Sequence, residues 1–314
     1  MRVGICAWAD QALLESGAFY PRKSMTADAR LSYYARFFDT VEVNSSYYAI
    51  PAARNVARWA ARTPAGFTFN VKAYAPLTGH HPRLETLPDE VQAMVSARAR
   101  RTHRGEIHAS ALPAEAIETT FRLFRAALGP LQDAGKLGYV LFQLAPWVRF
   151  DDERLAELAR LPARLPGVTV AVEFRDRSWF PDHAEETLRV LRAAGLAHVV
   201  VDGPSAAHVV PRVTTRTAPM AVFRLHGRNA EGWLRQLRGE EPLVREKYDY
   251  LYTDAELREL AADVETLADD GEVYVSFNNN NRDYPVRNAL TMKRLLGQPV
   301  TAAPADRSTR DLFA

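Results

Sequence analysis

The sequence predicts an α/β fold, a TIM-type (β/α)8 barrel with an inserted loop or helical segment after strand 3. Three observations predict it. Eight strand-like runs alternate with helices or helix-like crossovers over 314 residues, slightly above the usual length of such a barrel. Within those runs polar and apolar side chains sort by parity, and the polar ones gather at the C-terminal ends. No GxGxxG or GxxxxGK[ST] loop follows any run, which counts against a doubly wound open sheet.

Composition narrows the class. The chain is 47% hydrophobic, enough for one large α/β core. Its 40 basic and 38 acidic side chains leave a net charge of +2, so no global field calls for nucleic acid or a membrane surface. The single cysteine, Cys6, excludes a disulfide framework and reads as a small buried hydrophobe in the first strand. An acidic residue by position 10 and the lack of a long apolar run argue against a signal peptide or membrane span, so the expected location is cytoplasmic. In that setting the glycosylation match at Asn44-Ser45-Ser46 is a false positive.

Taken in order, Arg2–Trp8 is the first strand, and Asp10–Lys23 is a loop. Leu31, Tyr34 and Phe38 mark a helix over 28–38. Thr40–Asn44 is the second strand. Pro51 opens a helix carrying Val56 and Trp59. Phe67–Lys72 is the third strand. Residues 73–112, with His80, His81, His103 and His108, form the insertion. The helix over 113–128 presents Ile117, Phe121, Phe124 and Leu128 on one face, and Leu137–Leu144 is the fourth strand. Acidic residues open the helix over 151–161, which suits its dipole. Thr169–Arg175 is the fifth strand, and the helix over 181–194 stops at Gly195. His198–Asp202 and Met220–His226 are strands six and seven, joined by a crossover poor in helical pattern. Asn229–Asp249 reads as a long polar loop. A helix over 254–267, a strand over 272–277 and a helix over 288–296 complete a single domain, 1–298. The Ala/Pro/Asp/Arg-rich tail, 299–314, is expected to fray.

Parity then selects the candidate site. The set assigned to the barrel axis includes Trp8, Glu42, Asn44, Lys72, Gln143, Glu173, Arg175, Asp202, Arg224, His226 and Asn278. The opposite set is almost wholly apolar and suits helix packing. Barrel enzymes carry their chemistry at the C-terminal rim. The structural alternative is a network of charges plugging the mouth.

The rim chemistry suggests several functions. Lys72, Arg175 and Arg224 suit an anionic or phosphorylated small ligand, with the two arginines as a bidentate clamp. Glu173 is the expected general acid or base, His226 the alternative proton carrier, and Asp202 a further carboxylate. Tyr47 and Trp179 belong to an aromatic ring with Trp8 that suits stacking on a ligand. The first expectation is therefore acid–base chemistry on a small anionic substrate. Glu42, Glu173, Asp202 and His226 offer ligands to a divalent metal, although the three cations disfavour one, and a metal-dependent phosphodiesterase or nuclease is the second expectation. A barrel that binds nucleotide or nucleic acid without catalysis is the third. No cofactor and no oligomeric state are specified.

These same segments resemble the DUF72, or YecE-like, family. The resemblance is carried by VGICAW, FDTVEVNSSYY, FTFNVKA, LGYVLFQLAPW, AVEFRDRSW, VFRLHGR, YDYLYTDAEL and YVSFNNNNRDYPVRNA, in that order over nearly the whole chain. It implies a TIM-type barrel and brings no established activity. A likeness of that family to endonuclease IV-type barrels implies DNA and divalent metals. Two departures stand out. One residue is inserted in Leu77-Thr78-Gly79-His80, and Asn278–Asn281 replaces a run that ends in an acid, which weakens a metal role there.

Overall fold

Strands that are buried on both faces need closure or cover, and here the sheet curls on itself. The computed structural model describes residues 1–100, 105–205, 209–237 and 247–301. Its strands are β1 (Arg2–Ile5), β2 (Thr40–Val43), β3 (Thr68–Lys72), β4 (Leu137–Gln143), β5 (Val170–Glu173), β6 (Ala197–Asp202), β7 (Met220–Leu225) and β8 (Glu272–Phe277). All pair in parallel with their sequence neighbours, and β1 joins β8. The remaining seam, β1 to β2, is closed by a bridge between Cys6 and Glu42, with Ala7 N–H donating to Glu42 O at 2.9 Å. This is the expected eight-stranded, near-closed parallel barrel.

The helices are α1 (Gln11–Ser16), α2 (Ala27–Tyr34), α3 (Ala53–Ala61), α4 (Asp89–Met94), α5 (Ala114–Asp133), α6 (Asp152–Ala159), α7 (Leu161–Arg164), α8 (Ala184–Ala194), α9 (Ala230–Leu237), α10 (Asp254–Ala268) and α11 (Tyr284–Leu295). Their ends follow local rules. The Asp151 side chain caps α6, Gly195 ends α8 in the left-handed conformation, and Thr253 with Glu256 forms a capping box on α10.

Two apolar layers sandwich the strands. Val3, Val41, Phe69, Val71, Val140, Phe142 and Val172 face outward and pack with Phe121, Phe124, Leu128, Leu257 and Leu260 from the helices. Tyr139, Leu141, Ala171, Val199, Val222 and Tyr274 fill the axis. Gly4 is required where β1 meets β2, because a Cβ there would sit 2.3 Å from Thr40 O. Gly4→Ala is expected to lower stability by at least about 1 kcal/mol in urea titration, the cost of overpacking a closed seam; an unchanged midpoint would show that the seam yields.

Several expected elements differ. The first strand ends at Ile5, because Ala7 takes a left-handed φ of 71°. Two segments expected as loops contain helices, α1 within 10–23 and α9 within 229–249. The last helix begins at Tyr284 rather than at residue 288. The insertion after β3 holds α4 and short 3-10 turns. The tail beyond residue 301 and His103 lie outside the described residues.

The parity of β6 is the largest correction. Val201 pairs with Arg224 and Asp202 with Leu225, so Val199 and Val201 face the axis while Val200 and Asp202 face the helices. With Val199, Val200 and Val201 in succession, β6 is apolar on both faces, and alternation carries no register signal there. Among the described residues, no helix is long and apolar enough to cross a membrane.

Candidate functional site

The floor of the barrel mouth is built on Arg224. As an inward residue of β7 it lies between carboxylates from opposite parts of the barrel. Its Nε donates to Glu42 Oε2 at 2.9 Å and Nη2 to Glu42 Oε1 at 2.6 Å. Nη1 donates to Glu173 Oε2, and Nη2 also approaches Cys6 Sγ at 3.7 Å. Arg224 is 1% exposed and both carboxylates are fully buried. Two buried carboxylates sharing one guanidinium are held by charge-assisted bonds in a dry site.

Register adds the next layer. Gln143 pairs directly with Glu173 across β4 and β5, and its Nε2 donates to Glu173 Oε1 at 2.7 Å. Gln143 Oε1 accepts from Lys72 Nζ at 2.8 Å, and this ammonium group lies 4.5 Å from the centre of the Tyr47 ring. His226 donates from Nε2 to Glu173 Oε1 at 3.2 Å, while its Nδ1 accepts from Asn278 Nδ2 at 2.8 Å. Arg175 lies 3.7 Å from Glu173 Oε1 and over the Trp233 ring, and Lys247 Nζ lies 3.8 Å from the centre of the same ring.

Above this floor opens a cavity of about 360 Å³, lined by Lys72, Gln143, Arg224, Asn44, Asn278 and Tyr47, with Tyr48, Tyr248 and Asn280 at its wall. Burial raises the Glu173 carboxyl, but Arg224, His226 and Arg175 outweigh it and hold the group well below the usual glutamate range. Burial pushes His226 down to about 4, with Glu173 opposing, so the imidazole is neutral near pH 7. Burial, aided by Arg224, lowers Lys72 to about 8. Lys247 falls to about 6 by burial beside Arg175. Such shifts in one cleft are the electrostatic mark of a functional site.

The expected residues divide into two groups. Glu42, Asn44, Lys72, Gln143, Glu173, Arg175, Arg224, His226, Asn278 and Tyr47 come together at the mouth. Asp202, Trp8 and Trp179 do not. Asp202 accepts from Arg228 at 2.8 Å, Arg212 at 3.1 Å and Tyr252 Oη at 2.7 Å, on the outer side of β6. There it borders a separate cavity of about 390 Å³, also lined by Arg177, in which Arg212 and Arg228 are paired with Asp202, Glu256 and Glu259. Trp8 is turned aside after the left-handed Ala7 and packs on Trp59 and Phe69. Trp179 is fully buried against Phe150 and Phe174, with its indole N–H on Val148 O.

Two expected roles change with this geometry. Arg224 spends its donors on Glu42 and Glu173, so it forms the floor rather than half of an anion clamp. The ligand set Glu42, Glu173, Asp202 and His226 does not fit a divalent metal, since a guanidinium separates the first two and Asp202 lies outside the axis. Among the described residues, no three His, Cys, Asp or Glu side chains are grouped to hold a metal ion. Within the asparagine run, Asn278 and Asn280 reach the mouth, whereas Asn279 is buried and donates to Tyr250 O and Asn288 Oδ1.

Sequence reading missed Lys247 and passed over His80. Lys247 lay within the segment expected as a polar loop, with no strand parity to place it. His80 packs edge-on against Tyr47 and Trp147, and burial beside Lys72 lowers it to about 3. A chain-wide scan for lysine, which is scarce here, is a signal able to find Lys247.

Comparison with known proteins agrees with this architecture. A curated relative, UPF0759 protein YunF of Bacillus subtilis, is 33% identical over 299 residues, covering 94% of each chain. A DUF72 family protein of Thermotoga maritima (TM1631) superposes with a TM-score of 0.70 at 27% identity, covering 95% of this chain and 99% of its own. Another, from Enterococcus faecalis (EF0366), gives a TM-score of 0.75 at 24% identity over 98% of both chains and shares the fold. The family model described as "protein of unknown function DUF72" matches residues 2–310, and the chain belongs to that family.

Proposed function

We propose that the chain is an enzyme that performs acid–base chemistry on a small anionic substrate, carboxylate or phosphate, at the C-terminal mouth of its barrel. One observation carries this reading: Lys72 lines the mouth cavity with no carboxylate at ion-pair distance among the described residues, while Arg224 engages both buried carboxylates of the floor. Asp10 also lines the cavity, and Arg175, 3.7 Å from Glu173, and Lys247, over the Trp233 ring, stand near Lys72. Lys247, lowered to about 6, titrates within reach of neutral pH, so an anion entering the cavity draws a proton onto it and raises its own affinity. Arg175, the least engaged guanidinium, supplies the planar contact. Lys72, which lines the cavity with its value lowered to about 8, is the acid–base group of this reading. Glu173 and His226 serve as positioning groups, the first held by donors and the second neutral between Glu173 and Asn278.

Calorimetry with inorganic phosphate and small carboxylates tests the reading. Binding at pH 8 is expected to take up protons, seen as a heat that depends on the buffer's ionisation enthalpy. Arg175→Ala is expected to weaken it by about tenfold, the effect of one lost charge-assisted contact. Equal affinity in the wild type and Arg175→Ala sinks the proposal. A second reading, a barrel that binds nucleotide without turnover, draws on the exposed rings of Tyr48 and Trp147 at the rim. It is favoured if an adenine nucleotide binds while the small anions do not.

A further inference from the structure

We propose that Lys72 is a nucleophilic amine that forms an imine with the carbonyl carbon of a small anionic aldehyde or ketone held in the mouth. The inference rests on the anionic-substrate reading above and assigns that substrate its reactive group. Lys72 stands at the C-terminal end of β3, lines the cavity, and has its Nζ held at 2.8 Å by Gln143 Oε1. Gln143 is itself anchored on Glu173. Among the described residues no carboxylate lies within ion-pair distance of Lys72 Nζ; Asp10 lines the same cavity, and Gln143, Asn44 and Asn278 there are neutral. A positioned amine without a salt-bridge partner is available to attack.

Residue usage points the same way. Of the 40 basic side chains only five are lysine: Lys23, Lys72, Lys136, Lys247 and Lys293. Lys136 is buried and donates to Ala60 O, Thr63 O and Thr63 Oγ1, and Lys293 is buried and donates to Phe37 O, so both use a compact ammonium as a carbonyl cap. Lys23 is exposed. The remaining two flank the mouth. A guanidinium serves as well as an ammonium for holding an anion, and better for a planar one. What only lysine supplies is a neutral amine near physiological pH, and Lys72 reaches that state more readily than an exposed lysine because burial lowers its pKa to about 8.

The step balances without a co-reactant. The Nζ lone pair attacks the carbonyl carbon, an ammonium proton passes to the oxygen, and the carbinolamine loses water to leave C=N. Arg175 and Lys247, close enough to Lys72 for their charges to interact with it, are assigned to the substrate's carboxylate or phosphate.

The test uses the full-length protein, glyoxylate and cyanoborohydride, with intact mass and peptide mapping. Hydride reduction of the imine leaves a carboxymethyl group on the lysine. Lys72 is expected to label on the order of tenfold or more faster than exposed Lys23, reflecting its larger neutral fraction, with inorganic phosphate slowing it. Lys72→Arg is expected to abolish the fast adduct; Lys72→Met supplies a second variant should the arginine not fit, and phosphate binding is followed separately in each. Labelling of Lys72 no faster than Lys23, or fast labelling at Lys247 instead, overturns the assignment. If phosphate still binds in that case, the anionic-mouth reading stands without the imine. If phosphate and glyoxylate both fail to bind, that underlying reading fails with it.

Discussion

Arg224→Met is expected to destabilise the barrel by about 3–5 kcal/mol, the cost of stranding buried charge when one partner of an ion pair is removed. The guanidinium touches Glu42 and Glu173, both fully buried, and its loss leaves two carboxylates facing each other at the axis. Urea titration at neutral pH checks it, and adding Glu42→Gln to Arg224→Met is expected to recover part of the loss by removing one stranded charge. A midpoint within experimental error of the wild type would mean that water reaches the floor of the mouth. Lowering the pH should weaken the wild-type assembly as well. Glu173 is held ionised below its ordinary range, so its contribution is present above that range and is lost as pH falls through the folded value. The pair of carboxylates makes the floor a structural element; whatever chemistry the mouth performs is built upon it.

Lys72→Met is expected to act in the opposite direction, stabilising the protein at pH 7 by about 1–3 kcal/mol while removing function. The sign follows from the lowered pKa, from 10.5 to about 8, caused first by burial and then by Arg224 and Arg175, against the attraction of Glu42 and Glu173. His80 and Lys247 face the same group, but with their own values lowered to about 3 and about 6 they are neutral across this window. Below pH 8 both folded and unfolded chains carry the proton, and the fold bears the full cost of burying it. Between about 8 and 10.5 the unfolded chain binds more protons, so wild-type stability rises with pH through that window, and the variant is expected to lack the rise. The full shift converts to about 3.4 kcal/mol, and the cavity's solvent access reduces it to the range given. A destabilised Lys72→Met would identify the lysine as part of a structural plug. Stability gained at the expense of activity marks a residue retained for chemistry.

Much of this site was legible from alternation alone. On β2, β3, β4, β5, β7 and β8 an apolar outward face sets the register, and Glu42, Lys72, Gln143, Glu173, Arg224 and Ser276 follow inward by parity. The method failed where its signal vanished. β6 is valine on both faces, so Asp202 was assigned to the axis although hydrogen bonding to β7 turns it outward to Arg212, Arg228 and Tyr252. Trp8 followed the same rule past a point where Ala7 has already left extended geometry. Lys247 lies outside any strand, where spacing carries no spatial information.

By itself the sequence determined the class of fold, the family, and a rim of ionisable side chains at one end of a parallel sheet, because period-two alternation and burial are local properties of each strand. Which charges neutralise one another was decided only in the folded barrel. Arg224, Glu42 and Glu173 lie far apart in the chain and meet through closure of the sheet, and their pairing is what leaves Lys72 without a carboxylate partner. Coulomb interactions depend on distance in space and on the water excluded between groups, and neither quantity is written in the order of residues.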